Sequence, residues 1–268
     1  MVMNQLAKRL IFSSIFISVT IFSIFRGPAW FFTGFIATFV LFGLHEYLCL
    51  VAKKGVKVFM PLALVLAALI PVTMGMNILP LLLCFTLVCL FVSYFVSGSD
   101  NEQTILGTAA TIFGMVYVVW FCSHLILMRQ LAEGPVWVLY TVIIIKGGDS
   151  FAYFFGKKFG KTKLLPSVSP NKSLEGAIAS VAGTILISVI FSFYLEALSF
   201  LPAILFGAMV SVVAQIGDFG ESLFKREVDI KDSGVIPGLG GILDILDSLT
   251  LSIPLTYFFI TFALGVAS

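Results

Sequence analysis

Apolar residues run in long, unbroken blocks from near the start of this chain to its end, without the polar–apolar alternation of a half-buried strand. Such blocks are continuous enough for helices, and a hydrocarbon layer ~30 Å thick takes about 20 helical residues to cross. Inside lipid only helices or closed barrels satisfy the backbone, and the continuous blocks select helices. The pattern predicts about nine spans, over 10–25, 28–51, 57–74, 78–96, 105–128, 135–155, 174–196, 200–217 and 242–265. Pro28, Pro61, Pro135 and Pro202 fall near span starts, where a missing N–H costs little. Pro71 interrupts the third block.

Composition makes lipid the solvent. Of 268 residues, 59% are hydrophobic and 11% charged, where a soluble domain carries about 25% charged residues. The mean hydropathy is +1.10. A water-soluble fold of this size could not hide that much apolar surface. The expected class is an all-α polytopic membrane protein. Cys49, Cys84, Cys89 and Cys122 all lie in apolar blocks without metal-ligand spacing and are read as small buried hydrophobes. Lys8 and Arg9 precede the first apolar block, but no small-residue cleavage pattern precedes Arg26, so that block is kept as a span.

The net charge of +2 says little, whereas its distribution orients the chain. With nine spans, one side receives Lys8, Arg9, Lys53, Lys54, Lys57, Lys157, Lys158, Lys161, Lys163, Lys172, Lys225, Arg226 and Lys231, out of 16 Lys and Arg in all. The other side receives Arg26 and Arg129, and Lys146 lies within a span. The positive-inside rule makes the basic side cytoplasmic, with the N-terminus inside and the C-terminus outside. We divide the chain into N-terminal transmembrane helices, 1–134, and a C-terminal region, 135–268, with cytoplasmic loops 156–173 and 218–241.

Ionisable residues gather where those loops meet the spans. Asp149, Asp218, Asp244 and Asp247 all fall at span ends on the basic side, a costly depth for charge unless it is paired or functional. If the eighth span continues as a helix, Asp218, Ser222, Lys225 and Asp229 share one face. The glycines in Pro237-Gly238-Leu239-Gly240-Gly241 precede a helix start, where free N–H groups attract anions. Asp244 and Asp247 follow at i and i+3, and paired hard oxygen ligands suit Mg²⁺ completed by substrate phosphates. Simple ion pairing with nearby lysines is the plainer account of the same carboxylates. Lys157, Lys158 and Lys161 read equally as a patch for anionic lipid. Lys146 and Asp149, at i and i+3, are placed to neutralise each other. His45 and Glu46 are assigned to interhelical hydrogen bonding, His124 to the interface, and Trp30, Trp120 and Trp137 to interfacial anchoring.

Three ordered stretches resemble the phosphatidate cytidylyltransferases, or CDP-diacylglycerol synthases. The first is D-x-x-A-Y-x-x-G from Asp149 to Gly156, followed by S-P-x-K-S-x-E-G from Ser169 to Gly176. The second is G-D-x-x-E-S from Gly217 to Ser222. The third is S-x-x-K-R from Ser222 to Arg226, then Lys231-Asp232, then Pro237 to Asp247. The likeness covers roughly 145–250. Leu239 stands where the family has His, and Ile245 where it has Arg, so two polar groups near phosphate or metal are replaced.

The resemblance implies transfer of a cytidylyl group from CTP to phosphatidate, releasing pyrophosphate, with Mg²⁺ and room for a second cation. It implies an enzyme of phospholipid biosynthesis in a bacterial-type cytoplasmic membrane, working on the cytoplasmic side. On this reading Asp218, Asp244, Lys225 and Arg226 carry the chemistry. Asp218, Asp244, Asp247 and Asp149 bind metal. Asn171, Lys172, Ser173, Ser222, Lys231, Asp232, Gly238, Gly240 and Gly241 hold substrate. A homodimer is implied by resemblance alone, and no nucleic-acid partner is expected. A lipid or polyprenol kinase, a transporter and an inactive divergent member are the competing readings. The clustering of polar groups at one surface rather than at the midplane disfavours a transporter.

Overall fold

The computed structural model of the protein describes residues 5–98, 101–230 and 240–267, with side chains described from residue 14 and omitted at 101–103. The apolar blocks are helices: α1 (Gln5–Phe25), α2 (Ala29–Lys53), the short pair α3 (Met60–Ala67) and α4 (Leu69–Val72), α5 (Leu79–Val96), α6 (Asn101–Gly114), α7 (Phe121–Arg129), α8 (Gly134–Phe159), α9 (Leu174–Phe191), α10 (Phe200–Glu227) and α11 (Ile242–Phe258). A π-helical stretch, Met115–Trp120, joins α6 to α7, and another, Phe259–Ala263, prolongs α11. Among the described residues, seven helices are long and apolar enough to cross a membrane. The chain is an all-α polytopic membrane protein. Phe95, Phe262, Leu81 and Ile105 turn outward, as lipid-facing side chains do.

Three expectations about spans and loops change. The third span is two short helices, with Pro71 inside the second. The loop 156–173 is largely structured: α8 runs to Phe159, and β1 (Lys163–Leu165) pairs antiparallel with β2 (Ser169–Ser173). The eighth span continues as a helix to Glu227, but Asp229 stands beyond its end at φ +54°, so it leaves the face shared by Asp218, Ser222 and Lys225.

The chain forms two compact units that interleave in sequence, Met1–Leu127 with Glu227–Leu246, and Met128–Arg226 with Asp247–Ser268. In the first, α2 is central. A methyl group on Gly43 would meet Leu246 Cδ1 at 3.0 Å and Val118 Cγ1 at 3.1 Å, so α2 approaches both the π-helical stretch and the first turn of α11 closely. Tyr94 donates to the Lys57 carbonyl at 2.5 Å and sets its ring edge-on to Phe59.

In the second unit, α8 and α9 pack closely through glycines, which receive side chains of the facing helix at three places and meet backbone to backbone at a fourth. Side chains added at Gly147, Gly148 and Gly183 would strike Ile187, Thr184 and Phe151 respectively. Gly156 and Gly176 face each other with 3.2 Å between an added Cβ on Gly176 and the Gly156 Cα. Further from the loop, Tyr140 hydrogen-bonds Ser188 at 2.8 Å, and Phe206 stacks on Phe259 at 4.0 Å. Trp137 is fully buried and edge-on to Tyr140, so it is a core residue and not an interfacial anchor, whereas Trp30 is exposed. His124 is also buried, with Nδ1 3.0 Å from the Trp120 carbonyl one turn earlier, which replaces the interfacial reading. Cys122 is buried, Cys49 and Cys89 are half-buried and Cys84 is exposed, so only Cys122 is the buried hydrophobe expected.

Candidate active site

The close seating of α8 on α9 lets the loop between them fold back as a hairpin. Ser173 ends β2 and caps α9, its Oγ accepting from the Gly176 N–H at 3.2 Å. Glu175, in the first turn of α9, accepts from the backbone N–H groups of Lys161 and Thr162 at 3.1 Å each. Gly160 has no room for a side chain, because a Cβ there would lie 2.6 Å from Ser173 Oγ. Arg226, at the end of α10, donates to the Val168 carbonyl at 3.1 Å and holds the hairpin turn.

Hairpin, α8, α9 and α10 together enclose a cavity of about 680 Å³ lined by Asp149, Tyr153, Lys157, Lys163, Asn171, Lys172, Ser173, Gln215, Asp218 and Phe219, among others. At its polar edge Lys172 Nζ lies 2.6 Å from Asp218 Oδ1 and 4.1 Å from the centre of the Phe219 ring. The ammonium is thus gripped by one carboxylate and one aromatic face.

A second ionic centre lies around Lys146. Its Nζ is 3.3 Å from Asp149 Oδ2, 3.2 Å from Asp247 Oδ1 and 2.9 Å from Ser248 Oγ. Ser248 Oγ donates on to Asp149 Oδ2 at 2.8 Å. Gly217 of α10 makes this assembly possible, since a Cβ there would sit 2.6 Å from the Asp247 carbonyl oxygen. Asp218 lies within electrostatic reach of Asp247 and Asp149. Three carboxylates from three helices therefore share a neighbourhood with two lysines, and mutual charge balance is what allows them there.

The residues singled out in the sequence divide into four sets. Asp149, Asn171, Lys172, Ser173 and Asp218 come together at the cavity, with Asp247 tied in through Lys146. Ser222, Lys225 and Arg226 do not line it. Lys225 pairs instead with the fully buried Glu221 at 2.5 Å. Gly240, Gly241 and Asp244 belong to the other unit. There Gly240 adopts φ +79°, and the space a Cβ would need is filled by the Asp244 carboxylate, which accepts from the Gly241 N–H at 2.5 Å. Lys231, Asp232 and Gly238 lie outside the described residues.

Sequence reasoning gave no role to Phe219 or Glu221. An aromatic beside an Asp carries no signal of its own, but Glu221 four residues before Lys225 on a helix is a legible ion pair. Among the described residues, no group of three or more His, Cys, Asp or Glu side chains is arranged to hold a metal unaided. The donors are nevertheless hard carboxylate oxygens, and those of Asp149 and Asp247 already converge on one cationic point at Lys146. That fits a cation such as Mg²⁺, which takes one or two carboxylates and completes its shell with water and phosphate.

A helical membrane protein that lines a roomy cavity with paired lysines and carboxylates has the equipment of an enzyme handling polyanions. The sequence profile of the Cytidylyltransferase family matches residues 7–263, and the chain belongs to that family. A phosphatidate cytidylyltransferase of Synechocystis sp. is 30% identical over 279 residues, covering 91% of this chain and 93% of the relative. Phosphatidate cytidylyltransferases of Chlamydia trachomatis and Bacillus subtilis are 42% and 36% identical over shorter stretches, covering 45% and 59% of this chain and 42% and 58% of those relatives. The protein is therefore a nucleotidyltransferase of the cytidylyl-transferring kind.

Proposed function

We propose that the protein joins CTP to phosphatidate, forming CDP-diacylglycerol and pyrophosphate, in a Mg²⁺-dependent reaction at the cytoplasmic face of a bacterial-type inner membrane. A phosphate oxygen of phosphatidate attacks the α-phosphorus of CTP. A new P–O bond forms as the bond to the β-phosphate bridge breaks, and pyrophosphate leaves with that electron pair. The lipid phosphate is already ionised and nucleophilic, so no base is required to activate it. The demand on the protein is to bring two polyanions together and to stabilise charge where it develops.

The observation that carries this reading is the Lys172–Asp218 pair at the edge of the cavity. An ammonium held by one carboxylate and one ring face is available to a phosphate that displaces or joins the carboxylate. Asn171 and the hairpin would orient the bound phosphates. Asp149, Asp218 and Asp247 would hold Mg²⁺, which when bound neutralises phosphate charge. Asp244 is proposed as a further carboxylate of the reaction, on the helix that also carries Asp247. A homodimer is proposed on resemblance alone.

The test is lipid labelling by the purified chain in nanodiscs containing phosphatidate, with CTP labelled in the cytosine or at the γ-phosphate. Cytosine label should enter the lipid, only with Mg²⁺ present, and Asp218→Asn should abolish it while the protein still inserts. Transfer of the γ-phosphate label instead would make the protein a kinase and overturn the proposal.

A further inference from the structure

The first turn of α11 is held by a residue nearly two hundred positions away. Glu46, on α2, accepts from the Ile242 N–H at 3.0 Å through Oε1 and from the Leu243 N–H at 2.8 Å through Oε2. The Gly241 N–H is taken by Asp244. Three consecutive N–H groups at the start of a helix, which would otherwise be without partners, are thus claimed by carboxylates. The N-terminal turn also carries partial positive charge that a carboxylate stabilises.

The approach that lets Glu46 reach is built into α2. Gly43, three residues earlier on the same helix, leaves the gap into which Leu246 and Val118 fit. Ile242 and Leu243 are buried, so their N–H groups have no bulk water to fall back on. The stretch of α6–α7 that also packs at Gly43 is π-helical, a geometry found disproportionately near functional sites. The site expected to receive phosphate oxygens, the N–H groups after the glycine run, is therefore filled from within the protein.

We propose that Glu46 is a positioning residue of the nucleotidyltransferase: by clamping the Ile242 and Leu243 N–H groups it fixes the turn that presents Asp244. The proposal rests on the reading of Asp244 as a working carboxylate. Asp244 is constrained on one side by its own bond to Gly241 and on the other by the two backbone bonds that Glu46 supplies. Without Glu46 the turn loses its outer support, and the carboxylate drifts relative to whatever it binds.

Glu46→Gln is nearly isosteric but keeps one acceptor where the carboxylate has two. In the protein in nanodiscs, kcat for CTP consumption should fall about tenfold, the range seen when a supporting partner of a working ligand is removed, and the Mg²⁺ concentration for half-maximal rate should rise. Amide hydrogen exchange at 242–243 should accelerate, a readout that does not depend on turnover. Gly43→Val, which forces α11 off α2, should produce the same pair of changes. The double variant should be no slower than the slower single one.

A Glu46→Gln protein with the parent's kcat, or with unchanged exchange at 242–243, would overturn the proposal. So would effects that multiply in the double variant, or a variant that binds CTP more tightly, which would make Glu46 a competitor for the phosphate position. If the parent makes no cytidylyl lipid, the reaction assigned above fails. The exchange measurement still judges the clamp.

Discussion

Two lysines of the second unit sit among carboxylates in different ways. Lys146 is held by three oxygens from two other residues of its surroundings and one of its own helix, and Ser248 ties two of those partners together. Lys172 has one carboxylate, Asp218, and one ring, Phe219, and it borders the cavity. The first arrangement is closed: displacing any partner breaks a bond that another depends on. The second is open, because an incoming phosphate can take the place of a carboxylate without dismantling anything else. On the function proposed above, the difference separates a lysine that assembles the site from one that would meet the substrate.

Three substitutions test that separation. Lys172→Met should have the largest effect on catalysis, lowering kcat/KM for CTP about a hundredfold or more, as expected when one positioned donor to developing charge is removed at about 2.7–4 kcal/mol. The thermal unfolding midpoint in detergent should barely move. Lys146→Met should reverse the balance. Loss of hydrogen bonds to charged groups, about 1–3 kcal/mol each, should lower the midpoint clearly, with turnover of the folded fraction falling less than in Lys172→Met. If Lys146→Met unfolds at the parent's midpoint while abolishing turnover, the two lysines have been assigned the wrong way round. Phe219→Leu should have the smallest effect, about 0.5–1 kcal/mol or a two- to fivefold rise in KM for CTP, because it removes the ring's attraction and keeps the bulk.

Most of the helical layout was legible in the sequence, because lipid leaves the backbone few alternatives and apolar length maps directly onto helix length. The same is true of contacts along one helix, such as Lys146 with Asp149. The cavity was legible in part. Asp149, Asn171, Lys172 and Asp218 stand out as polar residues at the ends of apolar blocks, yet only the fold pairs Lys172 with Asp218. What could not be read were contacts that depend on distant parts of the chain. Glu46 looks like any membrane-buried acid until its partners, some two hundred residues on, are known. Trp137 and His124 show the opposite limit: position near a span end suggests an interface, but tertiary packing buries both. The hairpin was hidden because its strands, of three and five residues, are too short for an alternation to show.

Where Gly156 of α8 meets Gly176 of α9, backbone lies against backbone with no side-chain cushion between them. A floor built that way does not yield when something presses on it, so the spacing between Asp149 on one helix and the hairpin at the head of the other is held like marks on a ruler. Molecules that share a headgroup but differ in their tails would meet the same polar geometry every time. Discrimination among tails would then have to arise where the wall is made of movable side chains.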